Sequence, residues 1–240
     1  VLSWLKVTNN RSFFSKLESL DSLFYSFIGA GLVGFGKPTI ANGANFAYRK
    51  KVFEELNGFA GQQQYASGDD DLFLQKLTRQ KKWQIRFQPS TKALVTTTPV
   101  ENFYEFISQR LRWASKGPIY PNAILFIQIG LYLFFLALLF GFVLSFLQSQ
   151  IFIFFGIAFL TKILADWLIF VSGKKHINFN SNAFVFFYQE TLQILYILFV
   201  GIGGLWGQFT WKGRKFTHGK VTQRKPETGD RRPETGLIFF

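Results

Sequence analysis

The sequence predicts an α/β front half followed by a helical membrane region, and three observations carry that prediction. Of 240 residues, 48% are hydrophobic and only 17% charged, against roughly a quarter charged in ordinary soluble domains. The net charge of +13 is uneven: Val1–Pro121 carries +7, Asn122–Gly204 +1 and Leu205–Phe240 +5. No charged residue interrupts the 45 positions from Gly117 to Thr161. A basic front, an apolar middle and a basic end describe a membrane protein whose flanks face anionic lipid. Nucleic acid is excluded as a partner, because the Phe-rich middle lacks the charge a nucleic-acid face requires. Disorder is excluded for most of the length. The absence of Cys excludes a disulfide scaffold, a thiolate metal site and a Cys nucleophile. The chain also lacks Met and begins without a signal-peptide pattern, so we expect a fragment.

Three parts follow: residues 1–116 as the α/β piece, 117–207 as a membrane region of two or three helices, and 208–240 as a basic, disordered tail. In the first part, residues 13–36 place Phe14, Leu17, Leu20, Phe24, Phe27 and Ile28 near helical spacing among Lys16, Glu18 and Asp21. That pattern suits an amphipathic helix against a membrane or a core. Gly43-Ala44-Asn45 is a small-residue turn leading into a short strand through Arg49 and Lys50. Residues 52–56 look helical and stop at Asn57-Gly58. The helix after Ser67-Gly68-Asp69-Asp70-Asp71 would be capped by Ser67 or Asp69, with acids suiting the dipole of its first turn. Residues 84–87 and 93–97 read as strands, and 103–114 as a helix carrying Gln109-Arg110-Leu111-Arg112-Trp113.

A membrane helix needs about 20 apolar residues, so the uncharged run holds two. We expect them at residues 123–147 and 151–171, with Lys162 and Asp166 four apart on one face of the second as a structural pair. The third apolar block, 183–207, contains Gln189, Glu190 and Gln193 and then four glycines. The positive-inside rule puts the front half on the cytoplasmic side. A third full crossing would carry Lys212, Arg214, Lys215 and Lys220 to the other side, so a re-entrant or interfacial block is expected. The doubled Arg/Lys-Pro-Glu-Thr-Gly stretch at 225–236 belongs to the expected disordered tail.

Two clusters carry chemistry. The adjacent carboxylates Asp69, Asp70 and Asp71 repel one another, so at least one is harder to ionise unless a cation is near, which is what a general base needs. A helix N-terminus that favours acids is the plainer explanation of the same residues. Gln109 and Arg112 share a helix face just before the bilayer, where Arg can clamp phosphate and Trp113 can stack on a ring. An aromatic-belt Trp beside a snorkelling Arg is the plainer alternative there.

The order Gly-Ala-Asn, Gly-Phe, Gly-Asp-Asp, Gln-x-x-Arg-Trp and then membrane helices resembles the acceptor-side half of membrane-bound family 2 glycosyltransferases. These are GT-A-fold enzymes that include cellulose, chitin and hyaluronan synthases and ceramide glucosyltransferase. The resemblance covers residues 13–113 and, more loosely, the membrane helices and Trp211-Lys212-Gly213-Arg214. It implies a fold class of α/β partial GT-A domain followed by a helical membrane region. It also implies that one of Asp69, Asp70 and Asp71 takes the acceptor's proton, with Asp70 aligning best. Gln109, Arg110, Arg112 and Trp113 would hold the donor diphosphate and the acceptor end, while Gly43, Ala44 and Asn45 would line the acceptor pocket. The implied partners are a nucleotide sugar, UDP-linked above all, a lipid or glycan acceptor, and membrane lipids. The implied reaction is inverting.

The family binds a divalent ion, Mg or Mn, through an upstream D-x-D. No D-x-D precedes Asp69 here, so the metal ligands are expected outside this chain, which alone should show no turnover and little nucleotide binding. A non-catalytic membrane protein or partner subunit that binds anionic lipid, with the Asp cluster only a helix cap, is the alternative.

Overall fold

The computed structural model describes residues 1–8, 12–62, 65, 68–206, 208–211, 214–217 and 220–223. The described chain is mostly helical, with small sheets. Strands β1 (Leu2–Ser3) and β2 (Leu5–Val7) flank Trp4, and each finds a parallel partner far along the sequence. β1 pairs with β3 (Phe87–Gln88), and β2 with β4 (Val95–Thr97). Parallel pairing needs a long crossover, and three helices supply it. These are α1 (Phe13–Gly34), α2 (Lys50–Glu55) and α3 (Asp69–Gln80). Residues 84–86 do not join a strand, and the segment after Asn45 makes one bridge, Phe46 to Leu2, instead of the expected strand.

Local rules explain the helices. Ser12 Oγ accepts from Ser15 N at 3.1 Å to open α1, and α2 ends at Asn57 and Gly58, both with positive φ. Helix α4 (Phe103–Ala114) is capped by Asn102, whose Oδ1 accepts from Glu105 N at 2.9 Å. It runs in the same direction as α1, with Phe14 against Phe106, Asp21 against Arg110 and Tyr25 against Trp113.

Three helices are long and apolar enough to cross a membrane: α5 (Asn122–Ser145), α6 (Ser149–His176) and α7 (Ala183–Trp206). Helices α5 and α6 pack as a hairpin and turn Phe126, Phe154 and Leu160 outward, a surface that water would not tolerate on this scale. Helix α7 is unbroken, and its glycines admit neighbours. At its start, Phe186 packs with Trp4, Leu20 and Leu23 of the front half. At its end, Gly203 and Gly204 let Leu111 and Ala114 of α4 approach where any side chain would collide. With both ends of α7 against the front half, the chain emerges beside α4.

Lys162 is also more richly partnered than the sequence suggested. Its Nζ donates to Asp166 at 2.9 Å and Gln193 at 2.7 Å, and it pairs with Glu190, a third ionisable group brought in by α7.

The expected disordered tail is corrected for residues 208–211, 214–217 and 220–223. Strands β5 (Gln208–Trp211), β6 (Arg214–Thr217) and β7 (Lys220–Gln223) form an antiparallel meander. Two-residue Lys-Gly and His-Gly segments separate them in the sequence, the spacing hairpins favour. The repeated stretch at 225–236 lies outside the described residues.

Candidate active site

The first turn of α3 delivers its three aspartates into three different environments. Asp69 is exposed. Asp70 is half-buried, and its Oδ2 accepts from Gly43 N at 2.7 Å while its Oδ1 accepts from Asp71 N at 2.8 Å. Asp71 is 2% exposed and fully engaged. Its Oδ1 accepts from Ala41 N at 2.8 Å, and its Oδ2 accepts from Lys116 Nζ at 2.6 Å and the Tyr120 hydroxyl at 2.8 Å. Burial is the largest influence on Asp70 and raises its pKa above the usual carboxylate range; Asp71 adds to this, while Lys116 and the two N–H bonds oppose it. Lys116 is the nearby cation that the triple-acid sequence called for.

The cap of α3 is Gly68, at φ 103°, rather than a side chain; Ser67 lies outside the described residues. A Cβ on Gly68 would come within 2.7 Å of Lys116 Cδ, so the bare Cα is what lets the lysine stem reach Asp71. Gly68→Ala combines left-handed strain of about 1–2 kcal/mol with displacement of that stem. We expect a lower unfolding temperature together with reduced turnover, read by thermal unfolding in detergent and by assay.

The Gly43–Asn45 turn stands opposite. Gly43 meets Asp70, Ala44 N donates to Asn42 Oδ1 at 3.1 Å, and Asn45 Nδ2 ties Trp4 O at 2.7 Å to Ala93 O at 2.8 Å. Asn45 therefore braces the turn, and Gly43 is the part of it that touches the carboxylate.

Helix α4 spreads its motif around the helix. Arg110 is 5% exposed, pairs with Asp21 at 2.6 Å and lies over the rings of Phe106 at 4.7 Å and Trp113 at 4.4 Å. Trp113 also stacks on Tyr25 at 5.8 Å. This face locks α4 to α1. Arg112 lies off that face, with Gln109 between the two. Arg112 lies within electrostatic reach of Asp70 and Asp69; burial pulls its pKa down and the two carboxylates push it back up. Gln109 Oε1 is buried with no hydrogen-bond partner among the described residues. The structure thus brings together Gly43, Asp70, Asp71 and Arg112 and sets Arg110 and Trp113 apart. Lys116, Tyr120, Tyr25 and Asp21 had no assigned role in the sequence reading. Tyr25 is held well above its usual range by burial first, and then by the charges of Asp71 and Asp70.

No three Asp, Glu or His side chains converge among the described residues. Asp71 is committed to N–H, lysine and tyrosine donors, whereas each oxygen of Asp70 accepts one N–H and keeps a lone pair. Behind Asp21 an open groove of about 560 Å³ runs between α1, α4 and α7, walled by Phe14, Leu17, Phe106, Leu192 and Phe199.

No curated protein and no solved structure matches the chain. A family model described as Glycosyl transferase family 21 matches residues 4–223, from before α1 through the last strand. The motif order pointed to family 2; the matched family carries a different number, and glycosyl transfer is what the two names share. Matched along nearly its whole length, the chain belongs to glycosyltransferase family 21.

Proposed function

We propose that the chain forms the acceptor side of an inverting, membrane-bound glycosyltransferase in which Asp70 is the general base. The observation that carries this reading is the placement of Asp70. It is a partly buried carboxylate with raised proton affinity, held on Gly43 N–H within reach of Arg112, in a chain of a glycosyltransferase family. The acceptor hydroxyl oxygen attacks the anomeric carbon as its proton passes to Asp70. The bond from that carbon to the diphosphate oxygen breaks, and its electron pair leaves with a nucleoside diphosphate. A base with raised pKa accepts the proton more readily near neutral pH. Arg112 offsets the charge that grows on the diphosphate, and the buried Gln109 oxygen takes a sugar or acceptor hydroxyl. Arg110 and Trp113, committed to Asp21 and Tyr25, hold α4 in place.

A UDP-sugar is the donor we assign, with Mg or Mn as the divalent ion that would accompany its diphosphate, held by ligands other than Asp69, Asp70 and Asp71. The apolar groove favours a lipid acceptor over a glycan, since a glycan would need polar partners along those walls. The basic residues of α4 and the chain after α7 sit together, which supports a cytoplasmic site.

Leu192→Trp, which fills the groove, is expected to raise the acceptor KM about tenfold or more with the donor KM unchanged, and the product is expected to carry the inverted anomeric configuration. A retained configuration by NMR, or equal changes in both KM values, would count against the reading.

A further inference from the structure

Lys116 lies in the connector between α4 and α5, immediately before the first apolar helix. Lysines at such positions ordinarily extend their ammonium groups into water. This one is 5% exposed and donates to the buried Asp71 at 2.6 Å, with Tyr120 from the same connector donating to the same oxygen at 2.8 Å. Burying a lysine is unfavourable unless a fixed carboxylate answers it. Asp71 and Asp70 also hold the two ends of one short segment, Asp71 at Ala41 N and Asp70 at Gly43 N. Any shift of Asp71 is therefore transmitted to Asp70 twice, through the α3 backbone and through residues 41–43.

We propose that Lys116, assisted by Tyr120, is a positioning residue for the base: through Asp71 it fixes the Asp70 carboxylate at Gly43 and makes that geometry depend on the seating of α5. The inference rests on Asp70 being the base. The titratable and charged groups around Asp70 are Asp69 and Asp71 on α3, Lys116 and Tyr120 of the connector, Arg112 of α4 and Tyr25 of α1. Asp71 pushes the Asp70 pKa up and Lys116 pulls it down. Loss of Lys116 alone leaves the push without its opposing charge, whereas loss of both charges removes the two opposing charges together.

The experiment measures kcat, donor KM and the pH profile of kcat/KM for the complete gene product in nanodiscs, as wild type, Lys116→Met, Tyr120→Phe, Asp71→Asn/Lys116→Met and Asp70→Asn. Lys116→Met is expected to lower kcat about 10–100-fold, leave the donor KM within about threefold, and move the acidic limb up by about one pH unit, the size a lost neighbouring charge produces. The double variant is expected to return the limb close to the wild-type position while kcat stays low. Tyr120→Phe is expected to lower kcat a few-fold with the limb unmoved.

A wild-type kcat and an unmoved limb in Lys116→Met would overturn the proposal. So would a loss confined to the donor KM, which would make Lys116 a diphosphate contact. If Lys116→Met does not fold, Tyr120→Phe and the double variant decide, and wild-type kcat in both overturns it. Transfer retained in Asp70→Asn brings down the base assignment and this inference together. An inactive Asp70→Asn beside wild-type behaviour at Lys116 brings down this inference alone.

Discussion

Asp70→Asn is expected to lower glycosyl transfer by about 10²–10⁴-fold, the usual contribution of a general base, while donor binding stays nearly intact. The side chain keeps its size, and an amide oxygen can still accept from Gly43 N, so the loop should hold its place although the bond from Asp71 N is lost. What disappears is the group able to take the proton. Neither neighbour can substitute: Asp71 is buried and saturated by Ala41, Lys116 and Tyr120, and Asp69 is exposed, with Gly43 bonded to Asp70 instead. The wild-type pH profile should also carry the mark of Asp70. A base works ionised, and burial together with Asp71 raises its pKa, so activity should fall with decreasing pH at a point above the ordinary carboxylate range. Asp70→Asn should lack that limb. Steady-state rates from pH 4 to 8, with calorimetry for donor binding to the complete gene product, check both statements.

The two arginines of α4 are expected to fail in opposite ways. Arg110→Met leaves Asp21 and the buried Glu18 without their cation, and breaking a buried pair from one side costs about 3–5 kcal/mol. Asp21 keeps some exposure, which places the loss toward the lower end. Adding Asp21→Asn should recover part of it, because the paired charges then leave together while the buried Glu18 still lacks its cation. Arg112→Met, off that face, should lose less stability than Arg110→Met yet transfer about 10²–10³-fold more slowly, the size of one lost charge-stabilising donor. Denaturation in detergent beside turnover separates the two outcomes. Equal destabilisation by both substitutions would remove Arg112 from the proposed diphosphate role.

The contrast between Arg110 and Arg112 also shows what the sequence made legible. Positions 106, 110 and 113 share one helical face, 112 lies well off it and 109 falls between, so the separation of Arg110 from Arg112 was present in the spacing. Which face meets α1 was not, because that depends on a helix some ninety residues earlier. The bounds of α4 were readable to the residue, since capping and period are local properties. The strands were not: β1 and β2 are two and three residues long, and their partners lie beyond α3, so no alternation could announce them. The meander after α7 was hidden by its lysines and glycines, which outweighed the alternating Phe209, Trp211 and Phe216. In the site, the motif order pointed to Asp70 and Gly43 together. The surplus of negative charge at 69–71 called for a cation, but only the folded connector supplies Lys116.

The measurement that bears most directly on the central claim is transfer itself. Membranes carrying the complete gene product, given a panel of labelled nucleotide sugars, should move label into the lipid extract from at least one donor, and Asp70→Asn membranes should not. Label that enters lipid equally well with Asp70→Asn, or that no donor delivers to lipid at all, would contradict the account.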